Sequence, residues 1–221
     1  MAQGKQTPRQ KMINLMYLVF IAMLAMQIDQ EIVRSFYDTQ VSLNETRRLT
    51  DAKNQDLEKT LSEKAQNSPE DKESFDNYSV LKNYSDDLVN TVEGLKGKMI
   101  GITGFKYNEN DFDYNSLNNV EPATKVFFQS GEESKPSADA KIFMDKVNAL
   151  RNFIVTKFEG KENFENVVKR AKQNLITEYP VKKDNKTWLI RKFYNQPMVA
   201  ALSNLEILET EVRNIQSDAL S

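Results

Sequence analysis

Hydrophobic and polar positions divide the chain into two unequal parts. From Met12 to Ile28 no residue is charged, and Asn14, Tyr17 and Gln27 are the only clearly polar side chains. That run of about 17 residues spans roughly 25 Å as an α-helix, slightly short of the ~30 Å hydrocarbon core of a bilayer. A helix start precedes it. Thr7 is a good N-cap, Pro8 falls at the first helical position, and Gln10 completes a capping box three residues on. Arg9 and Lys11 on one side and Asp29 on the other complete a membrane span. Lys5, Arg9 and Lys11 precede the span while Asp29 and Glu31 follow it. The positive-inside rule therefore puts the N-terminus in the cytoplasm and the remaining chain across the membrane. A cleaved signal peptide and a buried core helix are the alternatives. The run is long for a signal h-region, and no small-x-small site closes it.

Beyond Ile28 the period stays helical. No glycine or proline occurs until Pro69. Ile28, Ile32 and Phe36, then Val41, Leu43, Leu49, Leu57 and Leu61, form a sparse apolar stripe. The pattern predicts one helix from about Pro8 to about Gln66, continuous from membrane into domain. Ser68-Pro69-Glu70-Asp71 is a second start signal, for a helix to about Met99 that should return antiparallel to the first. Its inward face is Phe75, Tyr78, Leu81, Leu88, Val92 and Leu95, and Gly94, Gly97, Gly101 and Gly104 interrupt it. Residues 101 to about 136 read as a long loop, with a short strand or helical turn around Lys125–Gln129. A third helix covers Ser137 to Phe158, with Ile142, Phe143, Val147, Leu150, Ile154 and Phe158 inward. Gly160 stops it. A fourth runs from Phe164 to Leu175 and a short element surrounds Trp188. A last helix begins at Gln196-Pro197 and runs to about Asp218. It reaches the end of the sequence without a stop signal, so continuation of the native chain beyond Ser221 is expected.

Composition changes this picture by exclusion. The 221 residues allow one sizeable domain beside the anchor, and a net charge of −2 with a pI near 5.5 gives no sign of a nucleic-acid partner. Lysine and acid are interspersed, which reads as solvated helix faces. Cysteine and histidine are both absent. A disulfide scaffold, a thiol nucleophile, and the commonest general base and metal ligand are thereby removed. No glycine-rich phosphate loop and no activated nucleophile appear. The cluster Asn110-Asp111…Asp113…Asn115 is similar to a calcium loop but lacks its residue order, and a packed cap for the bundle tip fits better. The expectation is a protein without enzymatic activity, cofactor or metal.

The informative polar residues are Arg9, Asn14 and Tyr17 in the membrane segment. A border arginine is functional if a partner carboxylate meets it and a topology signal if not. A tyrosine hydroxyl at depth needs a hydrogen-bond partner, which a lone helix does not supply. The three together predict a helix packed among others.

The string Thr7-Pro8-Arg9-Gln10-Lys11-Met12-Ile13-Asn14-Leu15-Met16-Tyr17, continuing to Ala25, resembles the N-terminus of the GldM/PorM family. The stretch from Trp188 through Gln196-Pro197 to Glu206 is similar to the family's first periplasmic domain. The resemblance implies a subunit of a motor driven by the proton-motive force, which energises gliding motility and type IX protein secretion. In that family two copies of the anchor helix sit inside a pentameric ring of the membrane protein GldL. Further periplasmic domains reach outer-membrane ring components. The family's membrane arginine, matched here by Arg9, is proposed to pair with a partner carboxylate, and Tyr17 matches a position near the same polar site.

The fold expected is all-α: one transmembrane helix with a short cytoplasmic N-terminus over residues 1–28, continuing into a periplasmic helical-bundle domain over 29–221. The protein would be a single-pass inner-membrane homodimer in contact with the lipid bilayer and a GldL-type partner. A single-span periplasmic sensory or scaffold protein is the alternative.

Overall fold

Thr7 opens the first element as the sequence requires. Its hydroxyl oxygen accepts a hydrogen bond from the Gln10 amide at 3.3 Å, and Pro8 occupies the first turn. The computed structural model describes residues 7–107, 112–179 and 186–220. Helix α1 (Pro8–Ala65) is 58 residues long and unbroken, about 87 Å at the helical rise. The chain reverses over three residues. Ser68 then caps α2 (Pro69–Thr103) by accepting from the Asp71 amide, and Glu70 and Asp71 complement the dipole of the first turn.

Ion pairs fix the directions. Glu58–Lys82 at 2.6 Å and Arg47–Glu93 at 3.4 Å make α2 antiparallel to α1. Helix α8 (Met198–Leu220) runs parallel to α1, paired through Arg47–Glu206 at 2.8 Å and Asp51–Arg213 at 2.7 Å. Helix α5 (Ala138–Phe158) is antiparallel to α2, through Lys98–Asp139 at 2.5 Å and Lys146–Asp87 at 2.7 Å. Helix α6 (Glu165–Asn174) follows a tight turn at Gly160 and ties to α8 through Arg170–Asp218 at 2.9 Å.

About half of the described residues in the expected loop over 101–136 are helical, in short pieces. The glycines inside α2 do not stop it. The helix runs to Thr103, and Gly104 ends it in the left-handed conformation, its amide bonding to the Ile100 carbonyl. Asp113 then caps the short α3 (Tyr114–Leu117), and Pro122 and Glu121 start α4 (Glu121–Phe127). The stretch around Lys125–Gln129 ends α4 in a single 3₁₀ turn with an isolated bridge from Phe128 to Pro136. Asn110 and Asp111 of the calcium-like cluster lie outside the described residues. No grouping of three or more acids able to hold a metal occurs among the described ones.

The hydrophobic core lies between α2, α4, α5, α6, α7 (Trp188–Phe193) and α8. Phe127 stacks on Phe193 with ring centroids 3.8 Å apart, and Phe143 meets both edge-on. Trp188 packs against Phe143 and Phe193, in the structural role expected of it. Two predicted faces differ. Ile142 is half exposed although its neighbours on α5 are buried. On α1 the stripe residues Ile28, Ile32, Phe36, Val41 and Leu49 are exposed and Leu43, Leu57 and Leu61 are half-buried, while Val33, Tyr37, Gln40, Arg47 and Asn54 lie on the side that meets the bundle.

Candidate functional site

Three regions of α1 carry the polar chemistry. The first is its free end. One 18-residue window in α1 is apolar and long enough to cross a membrane, and none of it is buried inside the protein. Arg9, Asn14 and Tyr17 lie on this protruding part and are exposed, Tyr17 at 66%. At about 100° per residue they fall within an arc of about 140°, and Tyr17 stands ~12 Å along the axis from Arg9. The structure thus places all three on one side of the helix, well below Val33, the first buried residue of α1.

The second region is the point where the apolar run ends. Asp29 accepts hydrogen bonds from the Tyr114 hydroxyl and from Asn118 Nδ2 at 3.2 Å, and Asn118 also donates to the Tyr114 oxygen at 2.8 Å. Just above, the Arg34 guanidinium lies 4.6 Å from the Phe112 ring centroid. Tyr37 then packs against Phe105, Tyr107 and Phe112. Helix α3 and its flanks therefore brace α1 within a few residues of the apolar segment. The bracing residues come from the stretch that looked like loop.

The third region is internal and was not visible as a site in the sequence. Lys96 of α2 is 5% exposed and bonds to Glu206 at 2.5 Å and to Glu209, both on α8 and both buried. Arg47 of α1 reaches Glu206 at 2.8 Å and Glu209 at 3.6 Å, and Glu93 stands at the solvent edge, 3.4 Å from both cations. Burial pushes the Glu209 carboxyl up to about 7, against the opposing pull of Lys96. Burial alone would lower Lys96 and Arg47, but the facing carboxylates win and hold both above their ordinary values. A turn or two along, Arg213 bridges Asp51 of α1 and Asp86 of α2, each at 2.7 Å. The signal was present in the sequence. Glu206, Glu209 and Arg213 interrupt the otherwise apolar period of α8, but the interspersed charge along the chain masks them as solvated surface.

These features define a class: a helical bundle carried on one long helix whose free end is apolar and unburied. The chain belongs to a particular family within it, the GldM N-terminal domain, whose sequence model matches residues 31–221. The matched region begins just past Asp29 and takes in the bundle, complementing the resemblance carried by Thr7–Ala25. A comparison with curated proteins gave no match.

Proposed function

We propose that this chain is the anchor and first periplasmic domain of an inner-membrane motor. The motor is driven by the proton-motive force and energises gliding motility and type IX secretion. The carrying observation is the unbroken α1, which joins an unburied apolar stretch to a bundle of the GldM N-terminal domain family. In this reading a dimer of the chain sits within a ring of a GldL-type membrane protein. Its role is mechanical rather than catalytic, passing motion from the span to the bundle and, in a longer native chain, to outer-membrane ring components.

Arg9, Asn14 and Tyr17 face the partner in this reading. Arginine does not release its proton at physiological pH, so the titrating group is a carboxylate of the partner, and Arg9 lowers its pKa by charge pairing. The test is co-expression with the membrane protein encoded beside this chain, followed by mass measurement in detergent. Two copies of this chain held by several partner copies support the proposal. A chain that purifies without any partner sinks it. Arg9→Ala should abolish gliding and secretion without preventing membrane insertion. Full activity in that variant would return Arg9 to a topology signal.

A further inference from the structure

Helix α1 is held to its domain in an unusual way. Among the buried hydrophobic residues only Val33 belongs to it, and Tyr37 is its one partly buried hydrophobic packed on the core. A run of polar contacts joins α1 to α8. Arg47 pairs with Glu206 and Glu209, Asp51 with Arg213, and Lys53 Nζ lies 3.1 Å from Ser217 Oγ. Asn54 Nδ2 donates to the Arg213 carbonyl at 2.9 Å, and Ser203 Oγ lies 3.4 Å from the Phe36 carbonyl. On α8 the positions that make these contacts, 203, 206, 209, 213 and 217, follow one another at spacings of three or four, as on one face of a helix, and all are polar. The seam is also incompletely satisfied. Asn54 Oδ1 and Glu209 Oε1 are buried there without a hydrogen-bond partner among the described residues.

Polar contacts of this kind exchange for water at little net loss, and orphaned buried groups gain by being hydrated. A buried ion pair is weak evidence of stability for the same reason. Such contacts are also directional, so they tolerate no sliding from one register to another. The remaining helices, by contrast, keep their own apolar core: Phe127, Phe143, Leu150, Ile154, Phe158 and Phe193 lie on α4, α5 and α7. We infer that α1 undocks from the bundle along this polar seam as one unit, in a single register, while α2, α4, α5, α6, α7 and α8 stay packed. The seam then acts as a releasable coupling between the helix that carries the apolar segment and the domain it leads into. The inference goes beyond the motor reading and does not depend on it, since it concerns how α1 is held whatever the anchor drives.

Native-state hydrogen exchange on the full chain in detergent tests it. Amides of α1 beyond Val33 should exchange together, and on the order of 100-fold faster than those of α5 and α8, whose exchange follows global unfolding. Exchange of α1 at the same rate as α5 and α8, in one cooperative unit, overturns the inference. A second measurement uses the absence of native cysteine. Spin labels at the exposed positions Leu49→Cys and Ile207→Cys should show a second, longer distance that grows in mild urea before the core unfolds. One distance persisting until global unfolding overturns the inference as well. In a folded variant carrying Arg47→Met, Lys96→Met, Glu206→Leu and Glu209→Leu, α1 exchange should slow to the rate of the core. Unchanged fast exchange there would exclude the polar seam as the cause.

Discussion

Glu209 is fully buried, and its carboxyl holds a proton up to about pH 7 where an exposed glutamate would lose it near 4.5. The native state therefore binds this proton more tightly than the unfolded chain does. The linked stabilisation is complete below about pH 4.5 and is lost as the pH rises through about 7. Its full size is about 3 kcal/mol. Urea unfolding at pH 5 and pH 8 should reveal it as the part of the pH dependence that disappears in Glu209→Gln. An identical pH dependence in both proteins would mean that Glu209 stays ionised in the fold. The same cluster separates two lysines two residues apart, on opposite faces of α2. Lys96→Ala leaves Glu206 and Glu209 with Arg47 as their remaining close cation and should cost about 3–5 kcal/mol. Lys98→Ala breaks only the exposed pair with Asp139 and should cost less than ~1 kcal/mol.

At the scale of elements, α2 offers a stabilising change. Gly94, Gly97 and Gly101 lie in helical conformation, and a Cβ added at any of them meets nothing within 4 Å. Each Gly→Ala replacement should raise stability by about 0.5–1 kcal/mol, read as a shift of the urea midpoint at constant slope. Gly104 is the counter-case. Its φ of +71° suits glycine, so Gly104→Ala should destabilise. The opposite signs explain what was legible in the sequence. Caps at Thr7 and Ser68 and the stop at Gly160 are local chemistry, and they gave helix boundaries to within a few residues. The apolar face of α2 was legible because its period is dense. The face of α1 was legible only in part, since Gln40 and Asn54 are buried on it while Ile28, Ile32, Phe36, Val41 and Leu49 of the apolar stripe are exposed. The span residues Arg9, Asn14 and Tyr17 stood out against an apolar background. Lys96, Glu206 and Glu209 did not, because only the packing of α1, α2 and α8 takes them out of water.

At the scale of the whole molecule, α1 meets the bundle at two levels. Helix α1 extends about 25 residues below its first buried side chain, roughly 37 Å, and Asp29 ties it to α3 part-way along that length. Apart from the Asp29 contact with α3, what reaches the bundle from the apolar end passes through the single turn between Asp29 and Val33. Gln30 lies in that turn with its side chain exposed. Proline there removes one backbone hydrogen bond and crowds the carbonyl four residues back, which kinks the helix at a cost of ~3 kcal/mol or more. The core begins beyond it, so Gln30→Pro should leave the cooperative melt of the bundle nearly unchanged, and the protein should still insert in the membrane. Gliding and secretion should fall sharply, while Gln30→Ala behaves as the parent. Full motility with the proline would show that helical continuity only positions the domain, and that no motion is carried through α1.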